Sequence, residues 1–326
     1  YEKRRQTLLE RMKNSAAEGR RGIALFIGNT EAPAQYKDNC YKFRQDSTWL
    51  YFFGIDAPLY AAVIDLDNGE ETIFADDVEI GDIIWLGPQP SVASIAAGVG
   101  IEKSAPYKAL DAVVGKVVAE GRPVHFIKPS RYYNTMKIAS LIGCGDGEVA
   151  GKFSLALTKA IISMRLVKED CEIEVLDDAA DLGYEMHSVA RDSIRTGILE
   201  QEVVGKMEAV TLSKGWGVSF ATILTQHGET LHNHLHDKII EPGKLMVIDA
   251  GAENNMHYAS DFTRTYPTSG KQSRGIFTRL CATATSGLSI SPSLERHTGT
   301  CISRLWPSCL SVSAHSISSA VMSRAW

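Results

Sequence analysis

The 326-residue sequence predicts an α/β domain followed by an α+β domain, on three observations. The first stretch alternates helical patterns with apolar runs bounded by glycine. From about Lys168 two helical stripes follow in succession. After Lys214 the helical period gives way to short runs with strand patterning and turn residues between them. The length fits roughly two domains of ordinary size, with a core large enough to fold without disulfide or metal staples.

Arg4 to Glu18 places Leu8, Leu9 and Met12 among charges, which predicts an amphipathic opening helix. Gly22 and Gly28 then bracket the apolar run Ile23 to Ile27, read as a buried strand. Further strands are expected at Ala61 to Leu66, Thr72 to Ala75 and Val124 to Ile127, with Asp67-Asn68-Gly69 as a hairpin turn. Leu110 to Val118 and Tyr132 to Ile142 carry helical patterns. This mixed sheet flanked by helices is placed at residues 1–150. It closes at Gly143-Cys144-Gly145-Asp146-Gly147, whose spacing matches no dinucleotide or phosphate fingerprint.

The second domain is placed at residues 151–280. Val175, Ala179, Leu182, Met186 and Val189 form one wide stripe, so a long buried helix is expected, with His187 on its face as a core histidine. Leu199 to Lys214 follows as a second helix, with Gly215 as its cap. Strands are expected at Val218 to Thr225, Thr230 to Ile240, Leu245 to Glu253 and His257 to Tyr266. Glu241-Pro242-Gly243-Lys244 has Pro and Gly where a type II turn requires them.

Composition separates a third region. Residues 281–326 hold 12 of the 28 Ser, three of the six Cys, three Arg, no Lys and a single acid, Glu295. The net charge of −5 therefore conceals −7 over residues 1–280. A generic nucleic-acid binder is disfavoured by that balance, and no apolar run approaches the roughly 18 residues of a membrane span. Cys40, Cys144 and Cys171 form no C-x-x-C pair, which argues against a disulfide framework and for a reducing compartment, the cytoplasm. A chain opening on Tyr1 is expected to be partial.

The chemistry concentrates on Asp249 and Asp261. A hairpin with Asn254-Asn255-Met256 as its loop would put them directly opposite each other on one face, with Cβ atoms about 4.5–5.5 Å apart. Flanking Leu245, Val247, Ile248 and Phe262 predict burial, where paired carboxylates need a cation or a shared proton. Arg264 has the opposite parity and points away. Divalent metal and a protonated aspartate both satisfy the pair, and a two-metal hydrolytic site uses such bridging carboxylates. His232, His234 and His236 alternate, so in a strand all three would project to one side, as zinc ligands, as one substrate-facing histidine, or as a polar edge. No H-E-x-x-H, G-x-S-x-G or P-loop is present.

These residues resemble a known family. Leu231-His232, Glu241-Pro242-Gly243, Val247 to Glu253 and Tyr258 to Pro267 are similar to the catalytic core of aminopeptidase P and prolidase, the pita-bread metallopeptidases. Phe43-Arg44-Gln45-Asp46-Ser47, Leu50-Tyr51 and Gly54 resemble the aminopeptidase P amino-terminal domain, and Met164 to Lys168 the start of the catalytic domain. The resemblance implies two divalent ions, manganese in the family, with Asp249 and Asp261 as the first two of five ligands. It implies that His232 stabilises the reacting peptide carbonyl, and that the substrate is a peptide with proline in second position. A homodimer, with no nucleic-acid or membrane partner, is implied as well. Arg44 to Ser47 also read as a structural polar turn.

The resemblance ends near Thr278. The family's remaining His and two Glu ligands have no counterpart, since His297, His315 and Glu295 stand in no matching context. The expectation is a pita-bread domain incomplete at its carboxy end, weak or inactive, followed by an aberrant tail at 281–326 that is out of frame or disordered. Prolidase, which takes dipeptides, is the second enzymatic reading. A non-catalytic pita-bread binding module is the third, disfavoured because such a module has no need of opposed carboxylates.

Overall fold

A computed structural model describes residues 1–15 and 19–268, which divide into two units between Lys168 and Glu169. The division falls later than residue 150 because residues 155–165 pack on the first unit. There Leu157, Ala160, Ile161 and Met164 join the core of the opening helix.

The first unit runs α1 (Glu2–Lys13), β1 (Ile23–Ile27), α2 (Ser47–Phe53), β2 (Ala61–Asp65), β3 (Glu71–Phe74), α3 (Ile80–Leu86), α4 (Val92–Gly98), β4 (Lys103–Ala105), α5 (Ala109–Ala119), β5 (Val124–His125), α6 (Tyr132–Ile142), α7 (Asp146–Lys152) and α8 (Leu155–Arg165). Its five strands lie in the order β4-β3-β2-β1-β5. β1 is antiparallel to β2 and parallel to β5, and β2 turns into β3 through Asp67 to Gly69, where Gly69 supplies φ 81°. Strand alternation divides the core. Ala24 and Phe26 face Leu8, Met12 and Trp49, whereas Ile23 and Leu25 face Leu110, Val114 and Leu141.

The Arg44 to Ser47 segment is a structural turn. Gln45, with no exposed surface, accepts from the Asn29 and Asp46 N–H groups at 2.6 and 2.7 Å and donates to the Ala57 carbonyl at 2.8 Å. Asp46 caps α2 through the N–H groups of Thr48 and Trp49. A fully buried Arg5 donates to Glu71 at 2.8 Å and to the Phe52 and Val99 carbonyls, which closes the ends of α2 and α4.

The second unit contains α9 (Asp170–Ser193), α10 (Glu200–Lys214), β6 (Gly217–Val218), β7 (Ile223–Thr225), β8 (Leu245–Ala250), β9 (Ala252–Glu253) and β10 (Phe262–Pro267). β8 is central in a β10-β8-β7 sheet, and β6 pairs with β9. Met186, Ala190, Val203 and Met207 of the two helices pack on Leu224, Met246, Ile248 and Ala250. His187 is buried on α9, on the predicted face. The predicted strand at Thr230 to Ile240 is a correction. Those residues form a loop with one bridge, Ile239 to Leu199, because Asn233 turns inward to donate to Thr225 Oγ1 and folds the chain onto β7. The tail at 281–326 lies outside the described residues, with His297, His315 and Glu295. Among the described residues no helix is long and apolar enough to cross a membrane.

Candidate metal centre

Asp249 sits near the end of the central strand β8. The even residues Met246, Ile248 and Ala250 enter the helix-covered core, and the odd residues Leu245, Val247 and Asp249 take the other face. Ile223 on β7 and Thr263 on β10 flank Asp249 in register.

The expected register is corrected by one residue pair. Asp249 lies opposite Thr263, and continuing the same ladder through the Glu253 to Ala259 bridge sets Asp261 opposite Gly251. The two aspartates share a face as diagonal neighbours, a relation for which Cβ atoms in a regular sheet are about 7 Å apart. The reason is the turn. Asn254 N–H donates to the Tyr258 carbonyl, and the loop residues between them include His257 at φ 63°. The three-residue hairpin loop is Asn255 to His257, one position later than expected, with its last residue in the left-handed region, and this shift moves the register. Asn254 Oδ1 fixes this turn by accepting from the Met256 and Tyr258 N–H groups.

Burial is also corrected. Asp261 is exposed and Asp249 half-buried, because Ile248 and Phe262 point to the opposite, helix-covered face and Leu245 and Val247, on the aspartate face, are themselves only half-buried. One oxygen is the exception. Asp249 Oδ1 is buried without a hydrogen-bond partner among the described residues. A buried carboxylate oxygen left unmatched is costly, and a cation is the partner that suits it best.

Close packing holds the Ser260 segment, next to Asp261, against Gly251 and α9. A Cβ on Gly251 would overlap the Ser260 carbonyl, and one on Gly183 of α9 would overlap Ser260 Oγ and crowd the Phe262 ring. Ser219 Oγ donates to the Ser260 carbonyl at 2.8 Å, and Ser260 Oγ receives the Ala252 N–H at 3.1 Å. Beneath the pair, His187 Nε2 donates to the Ala250 carbonyl at 2.9 Å, with its ring edge-on to Phe262 at 5.9 Å. Burial, foremost, holds its pKa below the usual histidine value, so the ring is neutral. The glycine and serine contacts are not legible as site features, since small residues carry no chemical signature of their own.

His232 lies on the loop between β7 and β8, exposed, its ring stacked on that of exposed His234 at 6.4 Å. The row of three histidines does not form. His236 turns away, its Nδ1 within 3.1 Å of the Leu224 carbonyl. The loop leaves β7 over the aspartate face, with Gly228 seated against Val247. Among the described residues no group of three or more His, Cys, Asp or Glu converges to hold a metal ion.

Two family models match the chain: the aminopeptidase P amino-terminal domain over residues 1–125 and metallopeptidase family M24 over residues 174–289. A probable Xaa-Pro aminopeptidase of Metarhizium acridum is 26% identical over 76% of the chain and 48% of its own length. Human Xaa-Pro dipeptidase is 27% identical over 82% of the chain and 55% of its own length. The chain thus spans about half the length of these curated relatives. Aminopeptidase P of E. coli in its low-pH form shares the fold, with a TM-score of 0.72 and 23% identity over 88% of the chain and 67% of that structure. Residues 1–125 thus form an aminopeptidase P type amino-terminal domain and residues 174–289 match the M24 metallopeptidases, on the fold of aminopeptidase P.

Proposed function

We propose that the chain carries the amino-terminal domain and the leading part of the catalytic domain of a cytoplasmic, homodimeric Xaa-Pro aminopeptidase. That enzyme hydrolyses the bond between an amino-terminal residue and a proline in second position. The observation behind this reading is the unpartnered Asp249 Oδ1 on a sheet face shared with Asp261. Asp249 and Asp261 are hard oxygen donors that would hold two divalent ions, manganese in this reading. Such ions supply Lewis acidity to a hydrolytic site. His232, exposed on a loop that crosses the same face at Gly228, would donate to the substrate carbonyl in this reading. His187 holds the strand junction between the aspartates in one arrangement.

Two carboxylates alone form a weak divalent site, so the chain as given is proposed to be weak or inactive. After chelation and reloading with manganese, elemental analysis is expected to find less metal than protein, and a peptide with proline in second position should stay intact. Stoichiometric metal together with turnover overturns the inactivity. The relation to human Xaa-Pro dipeptidase supports a second reading, prolidase, which residual cleavage confined to dipeptides would favour.

A further inference from the structure

The first unit contains a cleft that the proposed hydrolysis does not use. β5 pairs with β1 only at Ile23 and Ala24 and then diverges. The two strands are parallel, so the gap opens at their carboxyl ends, the place where α/β sheets commonly admit ligands. The cleft has a cavity volume of about 90 Å³ and is partly open to solvent. Phe126 and Ile127 supply apolar walls.

Three polar features converge on the cleft. Asn134, 6% exposed, lines it with an Oδ1 that has no hydrogen-bond partner among the described residues, while its Nδ2 donates to Asn29 Oδ1. The first turn of α6 borders it through Arg131 and Asn134, and no side chain caps that helix. Its N–H groups and positive dipole end favour an anion. Lys128, exposed, and Arg131 add positive charge at the same end, and Asp46 supplies a negative carboxylate. Arg131 is committed to the Thr30 and Arg44 carbonyls, which leaves Lys128 as the mobile cation.

We propose that this cleft binds a small acid with a hydrogen-bond donor beside its carboxylate, the chemistry of a free α-amino acid with an apolar side chain. The ammonium donates to Asn134 Oδ1 under the influence of Asp46. The carboxylate lies at the α6 amino terminus beside Lys128, and the side chain meets Phe126 and Ile127. No residue of the aspartate face takes part.

The test uses the full chain, labelled with nitrogen-15 and titrated with L-leucine, and separately with 4-methylpentanoate, which lacks the amino group. Leucine is expected to shift the Asn134 side-chain amide resonances saturably, and 4-methylpentanoate to bind at least about tenfold more weakly, as loss of one charged hydrogen bond implies. Lys128→Ala, at an exposed position that leaves the fold intact, should weaken leucine binding by about tenfold, and Asn134→Leu by at least as much. No leucine-dependent shift in the cleft overturns the proposal. So do equal affinity for the two probes, or binding unchanged in Lys128→Ala.

Discussion

The Arg44 to Ser47 turn of the first unit and the Asp249 to Asp261 hairpin of the second are both motif segments rich in polar side chains, and they use them in opposite ways. In the turn, Gln45 and Asp46 spend their polar atoms on backbone partners, five hydrogen bonds between them. In the hairpin, a buried aspartate oxygen has no hydrogen-bond partner among the described residues. A residue satisfied by its own chain serves folding, whereas one held unsatisfied is available to something from outside.

The largest effect expected from this contrast is in the turn. Gln45→Leu keeps the volume but strands two N–H donors and a carbonyl in the core, a loss of about 3 kcal/mol at roughly 1 kcal/mol or more per orphaned group. Urea unfolding of the chain measures it, and a loss below about 1 kcal/mol would place the segment among the functional ones. At the hairpin the sign reverses. Asp249→Val removes the orphaned oxygen and suits a central strand between Ile223 and Thr263, so the metal-free chain should gain about 1 kcal/mol. Added manganese should stabilise the parent chain and leave the variant unmoved. Equal responses to manganese would remove Asp249 from the site.

Much of the contrast is legible in the sequence, because it rests on alternation and turn chemistry. The parity of Asp249 and Asp261 and the buried position of His187 follow from period, and the hairpin at Asp67 to Gly69 from its turn residues. The register does not, since it depends on His257 adopting a left-handed conformation that side-chain pattern does not announce. Helix α8 was readable, with Ser154 as its cap and Leu157, Ala160, Ile161 and Met164 at helical spacing, but the glycines before it draw the boundary too early. Helix α3 was not, because Ile80, Ile84 and Trp85 are exposed and trace no core-facing stripe.

The smallest effect tests whether an orphaned oxygen is by itself a sign of a site. Glu200 is fully buried on α10. Its Oε1 accepts the Gln226 N–H at 2.8 Å, and its Oε2 has no hydrogen-bond partner among the described residues. Burial, the leading cause, raises its pKa above the usual 4.5 against the opposing Gln226 bond. The folded state therefore binds this proton more readily than the unfolded one. Between 4.5 and the raised folded value, stability falls as pH rises, and it levels off above that window. Glu200→Gln carries no charge and should flatten the slope, which thermal unfolding across that pH range would show. Parallel profiles for the two proteins would mean that the folded and unfolded states hold this proton alike. Burial thus favours a proton on Glu200, whereas a divalent cation is the partner proposed for Asp249 on the open face. The response to manganese, rather than burial alone, separates a ligand from a core carboxyl.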